Sequence, residues 1–116
     1  MGLWYFIEYM AMRICNLGSG SSGNVTYIST PEGSILLDAG LSARETVRRL
    51  EAIDVDPESI DAICITHEHK DHVAGLDDIR AYNFKENGKP MQIFATTNVQ
   101  DALKREFSYI FSEQKY

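Results

Sequence analysis

The chain is short of cysteine, of basic charge and of long apolar runs. Its 116 residues include only Cys15 and Cys64. They lie far apart and in no CxxC spacing, which excludes a disulfide scaffold and makes a reducing, cytoplasmic compartment the expectation. Eleven Lys and Arg stand against seventeen Asp and Glu, a net charge of −6. The broad positive footprint of a non-specific nucleic-acid binder is therefore missing, although an enzyme that meets a phosphodiester through bound metal is not excluded. The apolar opening, MGLWYFIEYMA, is interrupted by Glu8, follows no basic residues and is too short to span a bilayer. Residues 1–11 are expected to be an N-terminal extension, either an added strand or the result of an alternative start at Met12. Nothing else has the length of a membrane span, and no internal repeat is visible. The remainder is ordinary globular composition, 44% hydrophobic and 24% charged.

What is present alternates strands and helices. Short β-prone runs end in turn residues at 13–17 (RICNL), 24–30 (NVTYIST) and 34–38 (SILLD), with Pro31-Glu32-Gly33 as a hairpin turn between the last two. Ser42 followed by Glu45 forms a capping box that opens a helix. Val47, Leu50 and Ile53 share one face of it, and Arg44, Arg48 and Arg49 lie elsewhere, open to phosphate but more simply a solvated face. A further strand, AICIT at 62–66, is followed by a helix from Val73 to about Phe84, stopped by 87–90 (NGKP). The run MQIFA at 91–95 is a strand, and Thr97 with Gln100 caps a last helix whose apolar stripe is Val99, Leu103, Phe107 and Ile110. The pattern is a mixed α/β (α+β) layered fold, a mixed β-sheet with flanking helices. The strands at 34–38 and 62–66 read as buried on both faces.

All three histidines fall within six positions, His67-Glu-His-Lys-Asp-His72, at the carboxyl end of the strand 62–66. Such ends are where α/β proteins place their sites. His67 and His69, two apart, can share a face, and Asp71 and His72 fall on the turn into the next helix. Imidazole and carboxylate donors suit Zn²⁺, Mn²⁺ or Fe²⁺. Four donors this close crowd a single ion and point to two neighbouring metals. A polar surface loop with clustered histidines is the plainer alternative, and the buried strand before the cluster argues against it.

The stretch Thr66 to Leu76 (THEHKDHVAGL), preceded by Leu37-Asp38-Ala39-Gly40, resembles the metallo-β-lactamase-fold hydrolases. Within them the likeness is to a phosphodiesterase-like branch. LGSGSSGN at 17–24 resembles the YycJ-type (WalJ) nucleases, and Gly75 to Asn83 resembles the PhnP-type cyclic-phosphate phosphodiesterases. The resemblance covers 12–116 and implies the N-terminal half of an αββα sandwich, a partial domain that stops before its second half. It implies that His67 and His69 hold one metal, that Asp71 and His72 hold a second, and that Asp71 orients the attacking water as the catalytic residue. It makes Asp38 a carboxylate that fixes a ligand imidazole from behind, with the capping of a turn as its ordinary alternative. The loop amides around Gly18, Ser19, Gly20, Ser21, Ser22 and Asn24 are implied as a phosphate cradle, against a merely flexible polar loop. Glu68 and Lys70 are the variable positions of the motif.

The expected cofactors are Zn²⁺ or Mn²⁺, two ions per complete site. The expected function is metal-dependent hydrolysis of a phosphodiester, in a nucleic-acid end or a cyclic phosphate, by a metal-bound hydroxide. Two departures count against a complete enzyme. The family's later ligands are missing, since no histidine follows His72. The cysteine-rich insert common in PhnP-type proteins is represented by Cys15 alone. A catalytically incomplete fragment or pseudoenzyme, acting as a metal-binding or interaction module, is one alternative. A lactonase or thioesterase on the same fold is another. The chain is expected to be inactive in isolation and to expose an apolar face. That face is one the second half would cover, or one through which the chain self-associates.

Overall fold

A computed structural model describes residues 4–7, 11–82 and 91–107. Six strands are present among them: β1 Trp4–Ile7, β2 Met12–Gly18, β3 Val25–Thr30, β4 Gly33–Leu37, β5 Ala62–Ile65 and β6 Gln92–Ala95. They lie side by side in chain order in one sheet. β1 to β4 are antiparallel neighbours. β4, β5 and β6 run parallel, so the two connections between them are crossovers. Helix α1 (Ala43–Ala52) makes the first. Helices α2 (Lys70–Val73) and α3 (Leu76–Tyr82) lie within the second, and α4 (Thr97–Glu106) follows β6. No helix among the described residues is long and apolar enough to cross a membrane.

The strands fall where the β-branched runs placed them, to within a residue or two. Within the expected extension, Trp4–Ile7 is an added edge strand, with Trp4 opposite Cys15 and Ile7 opposite Met12. Thr30 faces Gly33 across the hairpin, leaving a two-residue loop of Pro31 and Glu32.

Helix boundaries depart further from expectation. The helix expected over 73–84 begins earlier, at Lys70, and is divided at Ala74-Gly75. A Cβ on Gly75 would run into the Leu41 carbonyl oxygen, so this tight crossing takes a glycine and breaks the helical pattern. Its expected end at Phe84, and the stop at 87–90, lie outside the described residues. The cap of α4 is Thr96, one residue before the expected Thr97, with its hydroxyl accepting from the Val99 amide at 3.4 Å. Gln100 instead donates to the Ala95 carbonyl at 2.7 Å. Val99 and Leu103 are buried as the stripe requires, and Ile110 lies outside the described residues. At α1, Ser42 accepts from the Glu45 amide at 3.1 Å. The Glu45 carboxylate does not close the box but turns to Arg48 and Arg49. Arg49 is thereby corrected from a solvated residue to a structural one, since its guanidinium also donates to the Leu17 carbonyl.

The two faces of the sheet differ. Side chains alternate across a strand. Cys15, Leu17, Val25, Tyr27, Leu36, Ile63 and Ile65 form one buried cluster with Leu50, Leu76, Val99 and Leu103 of the helices. The opposite face carries Met12, Ile14, Ile28, Ile35 and Leu37, all half-buried, and Phe94, 54% exposed. The reading of 34–38 as buried on both faces is thus corrected. β4 alternates buried Ser34 and Leu36 with half-buried Ile35 and Leu37, because helices back one side only.

Candidate metal centre

The candidate residues meet at the carboxyl ends of the parallel neighbours β4 and β5. Just past β4, Asp38 takes a left-handed backbone (φ 69°) that an aspartate tolerates better than most residues. Its amide still donates to the Cys64 carbonyl of β5 at 2.7 Å. The next residues thread between two loops. Ala39 N donates to His72 O at 2.7 Å and Gly40 N to Asn24 O at 3.0 Å. A Cβ on Gly40 would overlap the Asp71 carbonyl oxygen. The Asp-x-Gly motif thus has a steric reason: only a residue without a side chain lets 38–40 pass this close beneath the histidine segment.

Asp38 is buried, 5% exposed, and fully engaged. Thr66 N donates to its Oδ1 at 2.8 Å, and the Thr66 hydroxyl lies 3.0 and 2.8 Å from its two oxygens. His72 Nδ1 is 2.8 Å from Asp38 Oδ2. The ionised carboxylate only accepts, so the network places the His72 proton on Nδ1 and leaves the Nε2 lone pair outward. Thr66 has one hydroxyl proton and gives it to Asp38. Its oxygen, 2.9 Å from His67 Nδ1, then accepts from that nitrogen and leaves His67 Nε2 open as well. Thr66 is the residue that sequence reasoning passed over as a strand end. A hydroxyl directly before the first histidine was the available signal.

Around this buried brace the remaining donors are looser. His72 Nε2 is 3.5 Å from Asp71 Oδ2, with side chains 18% and 33% exposed. The ring centroids of His67 and His72 are 4.7 Å apart, and those of His67 and His69 are 5.9 Å apart. His67 and His69 are exposed, and His69 Nε2 comes no nearer than 4.0 Å to Glu68. Among the described residues, no three His, Cys, Asp or Glu side chains are gathered closely enough to enclose an ion. The donor chemistry nevertheless fits a divalent transition metal: two imidazoles with Nε2 freed by hydrogen bonds at Nδ1, beside a carboxylate. Beneath the site, burial first and the charge of Asp38 second push the Cys64 thiol pKa up.

The glycine-serine loop is anchored from its own ends. Gly18 N donates to Asn16 Oδ1, Gly20 N to Asn24 Oδ1 and Gly23 N to Gly20 O. Asn24 N donates to Asp71 O at 2.6 Å. These amides hold the loop together, which leaves the exposed Ser19, Ser21 and Ser22 as the part of the expected cradle open to a ligand.

The chain is similar to known proteins in sequence and in fold. The chain is 31% identical over 108 residues to exodeoxyribonuclease YycJ of Bacillus anthracis, covering 92% of this chain and 38% of that protein. It is 50% identical over 60 residues to exodeoxyribonuclease WalJ of Streptococcus pneumoniae, covering 52% and 22%. The chain thus spans less than two fifths of the length of these relatives. Among solved structures, a diphosphatase from the PhnP family superposes with a TM-score of 0.66 at 23% identity, over 86% of this chain and 47% of that one, a likeness of fold. The Beta-lactamase superfamily domain matches residues 34–116, and the chain belongs to that family.

Proposed function

We propose that this chain carries the histidine-bearing half of a metal-dependent hydrolase site for phosphodiester bonds. The observation that carries the reading is the pairing of buried Asp38 with part-buried His72, joined through Thr66 to His67. That arrangement costs a buried carboxylate its hydration, and its result is two imidazoles held with Nε2 outward. His67 and His69 would hold one ion, Asp71 and His72 a second, as Zn²⁺ or Mn²⁺. When bound, such ions act as Lewis acids and bring the pKa of water from 15.7 to about 7. Asp71 accepts a hydrogen bond from the attacking water and orients it. Asp38 keeps the His72 proton on Nδ1. Ser19, Ser21 and Ser22 offer hydroxyl donors to a phosphate oxygen. The relatives named as exodeoxyribonucleases favour a nucleic-acid end over a cyclic phosphate as substrate. The two free cysteines support a cytoplasmic setting.

A second reading has its own observation. No histidine follows His72 in the sequence, and the donors of the half-site are not closed around an ion. The 116 residues alone then bind metal without turning over substrate, and the open sheet face is where further chain or a second copy packs.

Calorimetric titration of metal-stripped protein with Zn²⁺ tests the site. Binding by wild type, lost or at least tenfold weaker in His67→Ala/His69→Ala, is expected. Equal affinity would overturn the assignment. Hydrolysis of bis(p-nitrophenyl) phosphate with added Zn²⁺ or Mn²⁺ separates the two readings. Turnover by this chain, abolished in His69→Ala, would remove the second.

A further inference from the structure

The side chain of Asn24 has no solvent-directed task in this structure. Its Nδ2 lies 3.0 Å from Gly20 O, 3.0 Å from Asp71 O and 3.0 Å from Asp71 Oδ2. Its Oδ1 accepts from Gly20 N at 3.1 Å. One amide group therefore closes the glycine-serine loop and grips the Asp71 carboxylate. That carboxylate oxygen is also the one 3.5 Å from His72 Nε2. The backbone repeats the connection, since Asn24 N donates to Asp71 O and Asn24 O accepts from Gly40 N. Asp71 is one-third exposed and the contact of its carboxylate to His72 is the longer one, so the Asn24 amide is its nearest side-chain hold.

We infer that Asn24 is a positioning residue that aims Asp71 and couples it to the 18–23 loop, rather than a direct contact to substrate. The inference rests on the metal-site reading above. An amide suits the task because it donates to the carboxylate and accepts from Gly20 N at once. An aspartate there would set two carboxylates against each other, and a shorter hydroxyl would not reach both partners. A cation drawn to the Asp71 carboxylate alters the charge that the Asn24 amide meets at Oδ2, so the amide protons report its binding even where the hydrogen bond is kept. The loop, held by the same amide group, must register that change.

The test uses the 116-residue chain, Zn²⁺ alone and two-dimensional ¹H–¹⁵N spectra with the histidine ring resonances followed in parallel. In wild type, Zn²⁺ should shift the rings of His67, His69 and His72, the Asn24 side-chain NH₂ pair and the Gly20 amide together. In Asn24→Ala, the ring shifts should persist with Zn²⁺ affinity tenfold or more weaker, a usual loss when a group behind a ligand is removed. The Gly20 response should vanish. The wild-type Asn24 NH₂ signal keeps the test open if that variant folds poorly: an NH₂ pair unmoved by Zn²⁺ while the rings shift overturns the positioning role. Rings that shift equally in both proteins, with unchanged affinity and an unchanged Gly20 response, overturn it too. Rings that never respond to Zn²⁺ in wild type overturn the metal reading first, and this inference with it.

Discussion

Leu36 and Leu37 are neighbours in one strand with opposite surroundings. Leu36 is fully buried among helix side chains, whereas Leu37 lies on the half-covered face with Ile35, Ile28 and, two strands away, exposed Phe94. The residue types on the two faces are nearly the same, so hydrophobicity alone does not say which side is packed. Helices α1, α3 and α4 decide it, because their apolar stripes reach only one side of the sheet. A single face can hold this half of the fold together while the other stays available.

Truncation should separate the two faces most clearly. Leu36→Ala removes packing from a closed core and should lower unfolding free energy by about 2–5 kcal/mol. Leu37→Ala should cost less, about 1–2 kcal/mol, because part of its surface stays in water and a cavity there is open to solvent. Urea denaturation of both variants measures the gap, and equal losses would mean that the open face is covered in solution.

Association offers a smaller, sharper probe. Phe94→Ser should leave the urea midpoint almost unchanged and reduce both dye binding and the concentration dependence of light scattering. An unaltered scattering profile would show that this face does not mediate contact between copies.

The mildest effect belongs to pH on the covered side. Hydrogen bonds from Arg48 and then Arg49 lower the Glu45 carboxyl from its ordinary 4.5 to about 2. A folded pKa below the unfolded value contributes stability that is present above pH 4.5 and lost as pH falls toward 2. Glu45→Gln should therefore be slightly less stable than wild type at neutral pH, with the difference closing over that interval. A constant difference down to pH 2 would detach Glu45 from the anchoring of Arg49 to Leu17.

Much of the site is legible in the residues themselves. Three histidines in six positions at the end of a β-prone run announce both the donors and their location. Asp38 stands out as a carboxylate where a strand must stop. The parts that do not show along the chain depend on contacts between distant segments. Thr66 looks like a strand terminus because its role comes from Asp38, 28 positions away. Asn24 looks like part of a cradle because its partner Asp71 is 47 positions away. Helix ends are hidden for a similar reason. Two adjacent threonines offer equal caps at α4, and Gly75 breaks the 70–82 helix only because Leu41 passes against it.

The sequence by itself determined the alternation of strands and helices, the hairpin turn after β3 and the gathering of imidazole and carboxylate donors in residues 67–72, since these follow from local propensity and residue type. The tertiary structure alone decided which face of the sheet is packed, which histidine is braced and which stand in solvent. It also decided that Arg49 ties α1 to the end of β2 and that Asn24 ties the 18–23 loop to Asp71. Those outcomes depend on burial and on hydrogen bonds between segments tens of residues apart, and neither is encoded in the spacing of residues along a chain.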